Sequence, residues 1–337
     1  MRLGILSSGG DCPGINSTIR GVGKSAITYH GFEVAGIFNG YNGILEKNFK
    51  MMTESSFSGL LHTGGTILGT SRDKQMKRLL KNGDQKEIQM VKDNIQAMGL
   101  DCLLCIGGNG TQKTAALLAE NGINVIGIPK TIDNDIWGTD VSFGFDSAVN
   151  IATEAIDRLH STASSHHRAM VIELMGHHAG WIALHAGMAG GGDVILIPEL
   201  EYDIQKVCDY LLERVKKKKN YSIIVVAEGI STQHEMKPAE YISQEISERT
   251  GLETRSTVLG YVQRGGSPSP YDRILSTQLG GYATELAAKG DFGKMVAIVD
   301  GKTSDIPLSE VAGKLKIVTR DNPLLIQGER MGVCFGL

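Results

Sequence analysis

Nine residues, Gly127–Asp135 (GIPKTIDND), place Lys130, Thr131, Asp133, Asn134 and Asp135 within six positions. They follow an apolar run, Ile123–Ile128, with the composition of a buried strand. Charged and polar groups gathered at a strand's C-terminal edge cost free energy if buried idle. In open α/β sheets that edge is where ligands bind. A carboxylate there can take the proton of an attacking hydroxyl, a role that accelerates a reaction roughly 10²–10⁴-fold, and Asp133 is the candidate base. Four other segments are rich in glycine where a strand should end: Ser7–Gly14 (SSGGDCPG), Asn39–Gly43 (NGYNG), Thr63–Arg72 (TGGTILGTSR) and Ile106–Thr111 (IGGNGT). Backbone N–H groups in such turns can cradle a polyphosphate. Arg72 then supplies positive charge near a transferred phosphoryl. Arg168, Arg255 and Arg264 sit at strand or loop ends and suit a phosphate on a second substrate. Neither GxxxxGK[ST] nor GxGxxG with a correctly spaced acidic residue occurs. The residues read as phosphoryl transfer from a nucleotide to a phosphorylated small molecule.

The elements that must position these groups alternate along the chain. Arg2–Leu6 reads as a strand, and Pro13 stands near the start of a helical run through Ser25–Tyr29. Further strands are expected at Glu33–Phe38, Cys102–Ile106, Ala169–Leu174, Val194–Ile197, Ser222–Ala227 and Glu253–Val258. A helix over Gln85–Met98 puts Ile88, Val91, Ile95 and Met98 on one face, and another is expected over Phe143–Thr162. About ten strands, each followed by a helix, imply an α/β protein with mostly parallel sheets in two doubly wound halves. The expected division is a nucleotide and phosphoryl-donor half, 1–140 with part of 255–310, and a second-substrate half, 141–254 with the C-terminal segment, the two facing one another.

Composition narrows the function further. A net charge of −3 over 337 residues gives no global attraction to nucleic acid or anionic membrane. No apolar stretch approaches the roughly 20 residues of a membrane span, and MRLGILSSGGD lacks a signal-peptide profile. Five cysteines, an odd count in a long chain, suggest reduced thiols in a cytoplasmic protein. Cys102 and Cys105 fall inside a core strand and read as small apolar residues. The histidine pairs 166–167 and 177–178 lack the i, i+4 spacing of a helical metal site. The 43 glycines stand well above the usual ~7% and cluster at strand ends.

SSGGDCPGIN, GGTILGTSR, IGGNGT, PKTIDND, SSHHR, MGHHAGW, ETRSTVLGYVQRGG and SPYDR, in this order and spacing, make the chain resemble the 6-phosphofructokinase family from Leu3 to about Ala287. The resemblance implies a glycolytic kinase of the cytoplasm, phosphorylating the 1-hydroxyl of fructose 6-phosphate with ATP and Mg²⁺, usually as an allosteric homotetramer. It places Gly10, Tyr41, Arg72, Asp73, Gly108, Asn109, Gly110 and Thr111 at the nucleotide. It makes Asp133 the base and Asp135 its companion near the metal, with Arg72 and Thr131 also catalytic. Thr131, Asp133, Met175, Gly176, His177, Glu228, Tyr261 and Arg264 fall on fructose 6-phosphate positions. Arg168 and Arg255 match arginines that usually reach the sugar phosphate from a neighbouring subunit.

Several positions depart from the family pattern. Asn109 replaces a usual metal-binding aspartate, keeping an oxygen but losing a charge, and Tyr261 replaces a usual histidine. Gly110 leaves room for ATP, whereas Lys130 also occurs in pyrophosphate-dependent relatives; the pair reads as ATP, with pyrophosphate dependence as the alternative. A non-catalytic paralogue that binds nucleotide or sugar phosphate is a second alternative, motivated by Asn109. Arg20, Lys24, Lys217 and Lys219 fall on basic positions of the bacterial effector site, while Glu54, His160 and Asp193 depart from it.

Overall fold

The computed structural model describes residues 1–72, 74–232 and 236–337. Its strands are β1 (Arg2–Ser8), β2 (Glu33–Ile37), β3 (Phe49–Met52), β4 (Cys102–Gly107), β5 (Val125–Pro129), β6 (Ala169–Leu174), β7 (Val194–Leu196), β8 (Ser222–Ala227), β9 (Thr254–Val258), β10 (Lys294–Val299) and β11 (Lys302–Pro307). The chain separates into two compact units. One contains Met1–Thr131, Ile136–Asp146 and Arg264–Leu315, and the other Ile132–Asp135, Ser147–Gln263 and Lys316–Leu337. The GIPKTIDND segment therefore contributes to both: Lys130 and Thr131 belong to the first, Asp133 and Asp135 to the second.

The first unit is built on a seven-stranded sheet in the order β11-β10-β5-β4-β1-β2-β3. Its centre is parallel, and β4 is buried along its whole length. A strand covered on both faces must be apolar throughout, which is why Cys102 and Cys105 are there. Truncating Leu103 or Leu104, both fully buried, to alanine should cost about 2–5 kcal/mol. Strand order reverses between β1 and β4, so the C-terminal ends of those two strands flank the crevice where doubly wound sheets take ligands. Both edges of this sheet differ from the expected succession of strand and helix. The pairs β2–β3 and β10–β11 are antiparallel. Between β10 and β11 the residues Asp300 and Gly301 both have positive φ, 51° and 72°, as the Asp-Gly turn of a tight hairpin requires.

The second unit has a four-stranded sheet in the order β7-β8-β6-β9, parallel throughout. β6 and β8 are buried from end to end, whereas β9, at the edge, is partly exposed. The helix expected to begin at Phe143 spans Phe145–His166. Gly144, at φ 97°, stands before it, where an added Cβ would lie 2.5 Å from the Cys12 sulfur.

Candidate active site

In the first unit, hydrogen bonds from small side chains bring the glycine loops to the ends of β1 and β4. Ser7 Oγ lies 3.0 Å from Thr66 Oγ1 and donates to the Gly69 carbonyl, while Ser8 Oγ donates to Ser71 O at 3.0 Å. The Gly9 N–H reaches the same Ser71 carbonyl at 3.0 Å. Thr70 Oγ1 donates to Gly9 O at 2.7 Å, and Ser71 Oγ to Asn39 O at 2.6 Å. The three glycine segments are thus one hydrogen-bonded cluster, joined through residues 9, 39 and 71. Arg72 follows directly and is exposed. Asp73 lies outside the described residues.

β4 ends at Gly107, and the helix Asn109–Glu120 opens with Gly108 at its N-cap and no side-chain cap. The first N–H groups of a helix have no partner within the helix and favour an anion, and the helix dipole adds to that preference. Asn109 is half-buried and Gly110 is exposed in this first turn. Thr111 Oγ1 donates to Ser8 O at 3.3 Å and so fixes the turn against β1. Tyr41, expected at the nucleotide, is instead fully buried, and its hydroxyl donates to the Thr111 carbonyl at 3.0 Å. Tyr41 thus supports the turn through its hydroxyl.

Lys130, 3% exposed, donates from its ammonium to the carbonyl of Gly10. Arg264 was expected with the sugar phosphate. Within this unit its guanidinium donates to Asp11 O at 3.2 Å, and Nη1 lies 2.6 Å from where a Gly10 Cβ would stand. Gly10 is therefore the position that admits Arg264 to the first loop. Thr131 is 8% exposed, and its carbonyl accepts from Ser142 Oγ at 2.9 Å.

In the second unit the loop after β6 is set by a carboxylate. Glu228, just past β8, accepts from the N–H groups of Gly176 (3.1 Å) and His177 (2.8 Å) through one oxygen, Oε1. Gly176 has φ 151° and His177 φ 52°, so this loop carries backbone strain of the kind found at ligand sites. Gly229 permits it: a Cβ there would meet the His177 carbonyl oxygen at 2.0 Å. The Met175 N–H donates to Gln263 Oε1 at 2.9 Å. Gln263 is fully buried, and its Nε2 has no hydrogen-bond partner among the described residues. It lies within the motif ETRSTVLGYVQRGG, and its hold on Met175 depends on a contact 88 residues away in sequence.

Asp133 and Asp135 are half-buried on either side of Asn134, which is buried at φ 52°. Lys316 holds this turn: its N–H donates to Asp135 O at 2.9 Å and its Nζ to Asn134 Oδ1 at 2.9 Å. Nothing near position 316 in the sequence announces that role.

Arg168 and Arg255 converge on one oxygen of Glu253, at 2.7 and 2.8 Å. The Arg168 hydrogen bond is the leading cause that holds the Glu253 carboxyl below its ordinary range, against desolvation and with help from the Arg168 and Arg255 charges. Arg255 lies on β9, and Tyr261 beyond it is 81% exposed. Of the basic effector positions, Lys24 is paired with Glu54 at 2.5 Å and Lys217 with Glu213 at 2.7 Å. Beside the departing position Asp193, Arg214 forms an ion pair at 2.8 Å.

Among the described residues no three His, Cys, Asp or Glu side chains gather as a ready-made metal site. Mg²⁺ usually takes one or two protein oxygens and completes its shell with water and substrate phosphate. No helix of the described residues is long and apolar enough to cross a membrane, and all five cysteines are free thiols.

A family profile described as phosphofructokinase matches residues 2–287. The chain is 64% identical over 336 residues, the whole of both chains, to the ATP-dependent 6-phosphofructokinase 3 of Bacteroides thetaiotaomicron. It is 44% identical over 355 residues, again covering both chains, to the pyrophosphate–fructose 6-phosphate 1-phosphotransferase of Streptomyces coelicolor. Among solved structures, phosphofructokinase from Saccharomyces cerevisiae superimposes with a TM-score of 0.82 at 32% identity, covering 92% of this chain and 45% of that one.

Proposed function

We propose, since this chain belongs to the phosphofructokinase family, that it transfers the γ-phosphoryl of ATP to the 1-hydroxyl of fructose 6-phosphate, yielding ADP and fructose 1,6-bisphosphate. The observation that carries the choice of ATP is the exposed Gly110 in the uncapped first turn after β4. A side chain there would compete for the space over those N–H groups. Lys130 and the Streptomyces relative favour the second reading, pyrophosphate as donor. The Lys130 ammonium already serves the Gly10 carbonyl, so its presence accounts for the shape of the first loop whichever donor binds.

In this reading Gly10, Gly108, Asn109, Gly110 and Thr111 present backbone donors to the nucleotide phosphates, with Arg72 and Arg264 as cationic partners. Asp133 accepts the proton of the sugar hydroxyl as its oxygen bonds to the γ-phosphorus and the bond to the ADP oxygen breaks. The Asp135 carboxylate and the Asn109 amide oxygen would each offer an oxygen to Mg²⁺, which would supply charge neutralisation on the phosphates when bound. Met175, Gly176 and His177 form the sugar-binding loop, and Glu228 orders it. Arg168 and Arg255 serve the sugar phosphate across a subunit boundary in a homotetramer, which is supported by the exposure of β9 at a sheet edge. The exposed Tyr261 belongs to the same surface. Free thiols throughout support a reducing, cytoplasmic location.

An anionic effector at Arg20, Lys24, Lys217 and Lys219 has to displace Glu54 and Glu213. Exposed ion pairs are weak enough for that. The test of the whole reading is product identity. Incubation with ATP, Mg²⁺ and fructose 6-phosphate should give a new phosphomonoester at carbon 1 in ³¹P spectra. Binding of both ligands without that signal would instead fit a non-catalytic paralogue.

A further inference from the structure

We infer that Lys316 is a positioning residue for the reaction, holding Asn134 in its left-handed conformation so that Asp133 and Asp135 keep their orientation. The inference rests on the reading of Asp133 as the base. The family profile ends at residue 287, and Lys316 lies beyond it.

Asn134 sits at φ 52°, a region that asparagine visits more readily than most residues but still at a cost. Such conformations persist only where the surroundings over-determine them. Lys316 supplies two of the contacts that do so here. Lys316 donates its N–H to the Asp135 carbonyl and its Nζ to the Asn134 side chain, each at 2.9 Å. Lys316 is in turn fixed by Trp181: the indole Nε1 donates to the Lys316 carbonyl at 3.0 Å, and the ammonium stands 5.5 Å from the indole ring centroid. Trp181 opens the helix Trp181–Ala189, in the same unit as residues 132–135. A rigid aromatic thus anchors a lysine, and the lysine grips the one residue between the two carboxylates. A reacting group displaced by about 1 Å loses on the order of 10² in rate, so fixing that turn is worth a dedicated side chain.

The test is a double-variant cycle of Lys316→Met and Asn134→Gly. Methionine keeps a long stem against Trp181 and leaves the backbone bond to Asp135, removing only the ammonium. Glycine adopts positive φ without help, so it should make the ammonium dispensable. Lys316→Met should lower kcat by about 10²-fold with KM for both substrates within about twofold. In the Asn134→Gly background the same change should alter kcat by no more than about threefold. Amide hydrogen exchange of a peptide spanning 131–137 should speed up in Lys316→Met at unchanged thermal stability, a readout that needs no turnover. Unchanged exchange or unchanged kcat in Lys316→Met overturns the inference, as does an equal loss in both backgrounds. If the wild-type enzyme forms no product from ATP and fructose 6-phosphate, the functional reading fails instead, and the exchange measurement still decides the role of Lys316.

Discussion

The two units organise their loops by different chemistry. In the first, the candidate site is made by glycine and by the hydroxyls of Ser7, Ser8, Thr70, Ser71 and Thr111, which donate to main-chain carbonyls. The Lys130 ammonium on Gly10 O and the Arg264 guanidinium on Asp11 O add two cationic donors to these hydroxyls, again with main-chain carbonyls as acceptors. In the second, the corresponding loops are held by ionic and amide side chains: Glu228 under Gly176 and His177, Gln263 under Met175, Lys316 under Asn134. A polyphosphate offers many oxygens and tolerates recognition by main-chain dipoles. A sugar hydroxyl must meet one carboxylate in one orientation, which demands stiffer supports. The difference predicts that substitutions in the first unit change which donor is used, whereas those in the second change whether the acceptor reacts.

The largest effect should come from Asp133→Asn. The amide keeps the shape but cannot accept the proton, so kcat should fall about 10²–10⁴-fold with little change in KM for ATP in steady-state assays. Gly110→Asp comes next, and it probes the opposite half. Crowding the first turn of the helix should lower kcat/KM for ATP by roughly one to two orders of magnitude and leave fructose 6-phosphate binding by calorimetry intact. An equal loss for both ligands would erase the proposed division between the units.

Gly229→Ala is a milder break on the acceptor side. Its Cβ would stand 2.0 Å from the His177 carbonyl oxygen, so the loop must shift, at a cost of about 1–3 kcal/mol in denaturant unfolding. KM for fructose 6-phosphate should rise while KM for ATP stays put. The smallest effect concerns Glu173 on β6, 7% exposed, with Oε2 accepting from Ala239 N at 3.0 Å. Burial is the leading cause that raises its carboxyl above the ordinary range. A raised folded-state value means that stability is fullest in acid and is lost as pH rises through that value. Glu173→Gln, which keeps the acceptor oxygen, should therefore raise Tm by about a degree or two at neutral pH, the gain vanishing toward pH 4.

Much of this arrangement was readable from residue order alone, for reasons that particular elements make plain. β4 and β6 are apolar throughout because both faces are covered, and such runs are visible in sequence. The glycine turns are visible because a strand that ends against a ligand-sized space needs residues without Cβ atoms. The antiparallel edges were missed: Asp300–Gly301 is a hairpin signal only once its flanks are taken as strands, and Lys302–Pro307 is too polar to announce one. At the site, Asp133 could be proposed from local pattern, whereas Gly110 and the Met175–His177 loop were named through the family resemblance. Their supports could not be read from local pattern, because Gln263 and Lys316 act across 88 and 182 residues of sequence. Tyr41, placed at the nucleotide by the resemblance, has an enclosed ring whose hydroxyl donates to the Thr111 carbonyl, a contact 70 residues away that local pattern does not show.

The most direct test of the central claim is one steady-state comparison of donors at saturating fructose 6-phosphate and Mg²⁺. The account predicts that ATP supports formation of fructose 1,6-bisphosphate with kcat/KM at least about 10²-fold above that for pyrophosphate, the scale of discrimination a crowded or vacant pocket can provide. Turnover with pyrophosphate and none with ATP would contradict it.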